Sequence, residues 1–158
     1  GYKHYYVTEA GFKYNMMDLQ AAIGIHQIKR VEQYWKRREE IWKQYNEAFY
    51  ELPITLPAEP EPDTQHAYHL YTILIDKDKT GISRDEFLDA MNIHNIGTGV
   101  HYNSIPEHPF YQKEYSWKPE DYPISHRIGQ QTVSLPLSAK LTEQDVGYVI
   151  ETVSKIVG

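Results

Sequence analysis

The stretch from Asp18 to Leu52, DLQAAIGIHQIKRVEQYWKRREEIWKQYNEAFYEL, decides how the rest of the chain is read. Leu19, Ile23, His26, Val31, Trp35, Trp42, Tyr45, Phe49 and Leu52 recur at steps close to three and four, the spacing that lines up one apolar stripe on a helix. Asp18 can cap the start, and Pro53 forbids continuation. At 1.5 Å per residue, one helix over this span would be roughly 50 Å long, enough to cross between layers, domains or subunits. Lys29, Arg30, Lys36, Arg37 and Lys43 fall opposite the stripe and alternate with Glu32, Glu39 and Glu40. Interleaving of this kind describes a solvated helix face rather than a nucleic-acid surface. Glu32–Lys36 and Glu39–Lys43 are i,i+4 pairs of the favourable order. Arg38 points toward the stripe, so it must snorkel or be paired.

Downstream, AEPEPD (58–63) reads as a connector and HLYTILI (69–75) as a strand. DKDKTGISRDEF (76–87) imitates the first half of a calcium loop through Asp76, Asp78, Thr80 and Gly81. The twelfth position, however, is Phe87, and Glu86 falls one residue early. A turn over Asp78–Gly81, followed by a Ser83–Glu86 capping box opening a helix, accounts for every residue. IGTGVHYN (96–103) and TVSLPL (132–137) are two further expected strands, the latter at an edge because Pro136 cannot donate to a ladder. HPFYQKEY (108–115) and YPISHRIGQQ (122–131) read as short helical turns. Thr142 and Asp145 open a C-terminal helix with Val146, Val149, Ile150, Val153 and Ile156 inward. The sum is an α+β unit: a sheet of about three strands packed by helices.

Composition removes several chemistries. The 158 residues include no cysteine, which excludes disulfides, thiolate nucleophiles and thiolate-bound zinc, and fits a cytoplasmic protein. A net charge of −6 argues against a dedicated nucleic-acid or anionic-membrane binder. No apolar run approaches the ~20 residues of a membrane span. His66 and His69 fall on opposite faces of a strand and lack an acidic third ligand, and His26 reads as an interior or interface histidine; no metal site is expected. No G-x-S-x-G elbow occurs.

Two places can bind. Lys13 and Asn15 stand just ahead of a helix N-terminus, whose free N–H groups and dipole favour an anion such as phosphate; equally, Lys13 can be a surface lysine and Phe12, Tyr14 and Met16 an apolar lead-in. HYNSIPEHPFY (101–111) places His101, Tyr102 and His108 on a loop after a strand. Their donors suit sugar hydroxyls or a pyrophosphate, while packing is the alternative for the aromatic rings.

GFKYNMMDLQAAIGIHQIKRVEQYWKRREEIWKQY, HAYHLYTILI, IGTGVHYNSIPEHPFY and SLPLSAKLTEQDVGYVI, in this order, resemble the pyridoxal-phosphate-dependent sugar-nucleotide aminotransferases of the DegT/StrS type. The KYN and TGVHY forms are most similar to members that aminate a 4-keto sugar on a nucleotide carrier. The resemblance implies the C-terminal small domain of a fold-type I aminotransferase. Residues 1–17 would be a remnant of the large domain with its phosphate-contact loop, 18–52 a long connecting helix, and 53–158 the small α+β domain. It further implies that the segment carrying Lys13 and Asn15 reaches the cofactor phosphate of a partner subunit in a homodimer, these two being the candidates for the contact, and that His101, Tyr102 and His108 contact the nucleotide sugar. The Schiff-base lysine belongs to the family's preceding large domain; no residue here is assigned a catalytic role, and the chain alone is expected to be inactive. The implied reaction moves an amino group from an amino acid, glutamate being expected, to a keto sugar in polysaccharide or deoxysugar biosynthesis. Two alternatives stand beside it: a sugar dehydratase of the same family, and a non-catalytic dimerisation or regulatory domain.

Overall fold

The computed structural model describes residue 6 and residues 8–158. The chain divides into two units, 1–32 and 33–158.

In the first unit an extended lead-in precedes helix α1 (Asp18–Ile28). Met17, rather than Asp18, occupies the cap position, and its backbone N–H donates to Gln20 Oε1 at 3.0 Å. The helix expected over 18–52 is two helices, because the spiral tightens at its first end: Arg30 N–H donates to Gln27 O at 3.0 Å, and the Arg30 side chain takes the His26 carbonyl. Helix α2 runs from Val31 to Phe49. None of the α1 residues is buried, so the apolar stripe becomes core only along α2, through Ile41, Trp42, Tyr45 and Phe49.

In the second unit β1 (Tyr71–Leu74) and β2 (Thr132–Leu135) pair antiparallel, with Tyr71 opposite Leu135 and Ile73 opposite Val133. Directly opposed residues share a face, so these four form the core side of the sheet and Thr72, Leu74, Thr132 and Ser134 the other. The third expected strand contributes one bridge, Gly99 to Ser134, and Thr55 makes a matching bridge to Leu74 on the opposite margin. β2 is therefore flanked on both sides, not an edge. Pro136 lies beyond its end and costs no ladder bond.

Between the strands come α3 (Lys77–Thr80), α4 (Arg84–Ile93), α5 (Pro109–Tyr115) and α6 (Pro123–Gln131); α7 (Glu143–Val157) closes the chain. Asp76 spends its carboxylate on the Asp78 N–H at 3.1 Å, Gly81 turns at φ 78°, and Ser83 and Glu86 form the expected reciprocal cap. Thr142 and Asp145 do the same for α7. Phe87 and Met91 of α4 and Val146, Val149 and Val153 of α7 join α2 and the sheet in one apolar cluster. Each fully buried side chain of this size contributes about 1.5–3 kcal/mol.

The polar groups that enter this cluster are mostly satisfied. Tyr45 donates to Pro136 O at 3.0 Å and Tyr71 to Asn46 Oδ1 at 2.8 Å; burial pushes both phenols above their ordinary range. Arg38 is paired, its Nε donating to Tyr68 O at 2.9 Å. Arg37 departs from the solvated face expected of it: it is half-buried, donates to Leu141 O at 2.9 Å and pairs with Glu143. His66 is half-buried, its ring tilted against Trp42 with centroids 4.9 Å apart, and accepts the Tyr68 N–H at 3.0 Å, a packing role. Among the described residues no helix is long and apolar enough to cross a membrane.

Candidate functional site

The non-core face of β2 begins the site. Ser134 is buried, and its hydroxyl lies 2.8 Å from His101 Nδ1. This contact fixes the imidazole at the sheet margin through Nδ1. Close approach is possible because residue 99 is glycine: a Cβ there would meet the His101 ring at 2.8 Å. The following peptide, His101–Tyr102, is cis, and the Tyr102 ring stands edge-on to His101 with centroids 4.8 Å apart. Tyr102 is 74% exposed, so its own face is open.

Tyr102 is one wall of a groove of about 590 Å³. The floor is the 102–105 segment, and the opposite wall is α6 with the residue before it, through Tyr122, Ile124, Ser125 and Ile128. Two features hold the walls together. Gly129 lets α6 lie directly on the loop, since a Cβ there would sit 2.6 Å from Ser104 N. The Ser104 and Ser125 hydroxyls are 2.8 Å apart across the join. Glu107 completes it: one carboxylate oxygen accepts the Ser104 N–H at 3.1 Å, while the other accepts from Gln130 and lies 3.1 Å from His126 Nδ1. Arg84 ties the far side by donating to Gly129 O at 3.1 Å. The result is a largely apolar trough with hydroxyl and amide groups from Ser104, Ser125 and Asn103 at its base. Such a surface suits a ring with apolar and hydroxylated faces.

Of the three residues expected at a sugar site, Tyr102 lines the groove and His101 supports Tyr102 from behind. His108 is exposed between a 3-10 turn and α5 and does not line the groove. Reading the sequence missed Ser104, Tyr122, Ser125 and Gly129, although Pro123 marks the helix that carries four of the groove's side chains, its own among them. In the first unit, Lys13 and Asn15 are exposed in the extended segment before α1. Phe12 and Tyr14 there contact one another, ring centroids 5.8 Å apart. An ammonium and an amide beside the N-terminal end of α1 are hydrogen-bond donors, the chemistry a phosphate requires.

A profile of the DegT/DnrJ/EryC1/StrS aminotransferase family matches residues 1–154. Uncharacterized protein MJ1066 of Methanocaldococcus jannaschii is 43% identical over 154 residues, which cover 98% of this chain and 40% of the relative. Spore coat polysaccharide biosynthesis protein SpsC of Bacillus subtilis is 42% identical over 155 residues, again 98% and 40%. Among solved structures, Spr1654 of Streptococcus pneumoniae, a proposed sugar aminotransferase known in apo, PMP and PLP forms, superposes with a TM-score of 0.82 at 26% identity. In its PLP form the match covers 98% of this chain and 39% of that one. Helicobacter pylori PseC, 23% identical with a TM-score of 0.81 over 99% of this chain and 42% of its own, shares the fold. The chain thus spans about 40% of the length of the curated relatives it matches. It belongs to the DegT/DnrJ/EryC1/StrS aminotransferase family.

Proposed function

We propose that the protein acts in a pyridoxal-phosphate-dependent aminotransferase that transfers an amino group from glutamate to the 4-keto group of a nucleotide-linked sugar for polysaccharide synthesis. Family membership over residues 1–154 is the observation that carries this reading. The 42% identity to a spore coat polysaccharide biosynthesis protein supports the pathway class. The chemistry supplied by bound pyridoxal phosphate is electron withdrawal, which loosens the amino donor's Cα–H bond. The residues of this chain bind and orient. Lys13 and Asn15 hold the cofactor phosphate of a partner subunit in a homodimer, through an ammonium and an amide donor. Tyr102 presents a ring face to the sugar, the Ser104 and Ser125 hydroxyls offer hydrogen bonds at the groove base, and His101 fixes Tyr102 in place. His108 contacts the nucleotide part from outside the groove. The same proposal places the protein in the cytoplasm.

The test is amination by the full-length protein. Incubated with pyridoxal phosphate and glutamate, it should form 2-oxoglutarate and, with a UDP-4-keto sugar, a product of matching amino-sugar mass. Tyr102→Ala should raise the KM for the sugar nucleotide about tenfold or more, the loss of one ring stacking against a sugar, and leave 2-oxoglutarate formation in the first half-reaction unchanged. Failure to form the matching 2-oxo acid from any amino acid would overturn the reading, and failure with glutamate alone would overturn the choice of donor.

A further inference from the structure

A second cavity, of about 460 Å³, opens where α2, the residues entering β1 and the turn leaving β2 come together. Each of these three segments contributes one basic side chain to its lining: Arg38, His69 and Lys140. No carboxylate lines it, although the chain as a whole carries a charge of −6. The acids nearest in sequence on α2 are engaged elsewhere, Glu39 with Lys43 at 3.0 Å and Glu40 with Arg37 at 3.3 Å.

The donors are prepared in different ways. Arg38 is anchored by the backbone, Nε donating to Tyr68 O at 2.9 Å and Nη2 to Ala67 O at 3.4 Å, which leaves Nη1 for another acceptor. A guanidinium fixed in this manner loses little further freedom on binding. The Ser138 hydroxyl accepts the Lys140 N–H at 3.3 Å and keeps its own proton to donate. Lys140 brings a mobile point charge. Guanidinium, imidazole, ammonium and hydroxyl donors brought in by three separate segments match the three terminal oxygens of a phosphate monoester, which spread acceptors and charge over more directions than a planar carboxylate does. The volume also exceeds that of a bare phosphate ion, and Leu70 and Leu137 supply an apolar wall beside the cations.

We propose that this cavity binds a phosphate ester, its phosphoryl oxygens on Arg38, His69 and Lys140 and its organic part against Leu70 and Leu137. The site is separate from the groove at Tyr102 and does not depend on the aminotransferase reading.

Isothermal titration of the full chain at constant ionic strength tests it, with phenyl phosphate, inorganic phosphate and benzoate as probes. Phenyl phosphate should bind saturably, and about tenfold more tightly than either of the other two, because each of them lacks one half of the recognition. Lys140→Ala and His69→Gln replace exposed side chains, so both variants should keep the parent melting temperature and each should bind phenyl phosphate about tenfold more weakly. Tyr102→Ala, in the other groove, should bind it as the parent does. The proposal is overturned by the absence of saturable binding, by binding that neither Lys140→Ala nor His69→Gln weakens, or by benzoate or inorganic phosphate binding as tightly as the ester.

Discussion

Replacing Gly129 by alanine tests the groove's construction through the sign of the stability change. In a helix interior, Gly to Ala is ordinarily stabilising by up to about 1 kcal/mol, because glycine loses more backbone entropy on folding. At Gly129 the new Cβ would lie 2.6 Å from Ser104 N, 3.2 Å from Ser104 Cβ and 3.3 Å from Glu107 Oε2. Ordinary contact is near 3.5 Å or more, so α6 and the loop must part by most of an ångström. Overpacking of that kind costs about 1–3 kcal/mol, and the Ser104–Ser125 and Ser104–Glu107 bonds stretch with it. The net expectation is a destabilisation of about 1–2 kcal/mol. Gly147 supplies the internal control: it is also helical, exposed, and nothing lies within 4 Å of its added Cβ. Gly147→Ala should therefore stabilise by up to about 1 kcal/mol. Urea denaturation of the parent and both variants, at equal m-value, measures the two changes. If Gly129→Ala is as stable as Gly147→Ala, the α6–loop contact is not the tight join described, and the groove's shape does not depend on it.

Three further outcomes are expected. Tyr45→Phe removes the hydroxyl from a buried ring and strands the Pro136 carbonyl, so denaturation should show a loss of about 1–2 kcal/mol with the far-UV spectrum unchanged. Hydrogen bonds from the Thr142 hydroxyl and then its backbone N–H hold the Asp145 carboxyl below its usual range, as the Ser83 backbone and hydroxyl do for Glu86. A depressed carboxyl stabilises the fold above its unfolded pKa, around 4, and that contribution is lost as pH falls through the lower folded value; Thr142→Ala should flatten the acid limb of a stability–pH curve, and an unchanged limb would count against the cap. α1 exposes Leu19 and Ile23 on one side and Ile25 and Ile28 on the other, by 56–71%, and eleven residues make a marginal helix alone, so the proposed homodimer, if it covers Leu19 and Ile23, should sediment as such and dissociate in Ile23→Glu. Sedimentation as a monomer at every concentration would remove that support for the dimer.

Where a residue's role follows from its neighbours in sequence, the chain is readable. The Ser83–Glu86 and Thr142–Asp145 boxes are four-residue devices, and both occur as their spacing dictates. The apolar stripe of α2 and the inward face of α7 follow from a 3.6-residue period, and of the two outlets open to Arg38 on that stripe, snorkelling or pairing, the structure takes pairing. The errors come from competition that a local pattern does not encode. The 29–30 break turns on an arginine side chain reaching back to the His26 carbonyl, and the missing third strand on a single Gly99 bridge after which His101 is drawn under Ser134.

The groove shows the same division within one site. Tyr102 stands out in sequence by type and place, an aromatic ring on a loop after an expected strand, and it lines the groove. Its opposing wall does not stand out, because Gly129 meets Ser104 at a separation of 25 positions and Gln130 meets Glu107 at one of 23. Neither pair leaves a periodic trace. A glycine chosen for what its absent side chain allows reads in sequence like any weak helix residue, and its meaning appears only when a partner backbone lies 2.6 Å from the missing carbon. Residue type thus brought Tyr102 into the reading but not Ser104, Tyr122 or Ser125, and the contacts that hold the groove's two walls together become visible only once the chain has folded. Substitutions at the walls, not at Tyr102, are for that reason the ones that separate the groove's shape from its chemistry.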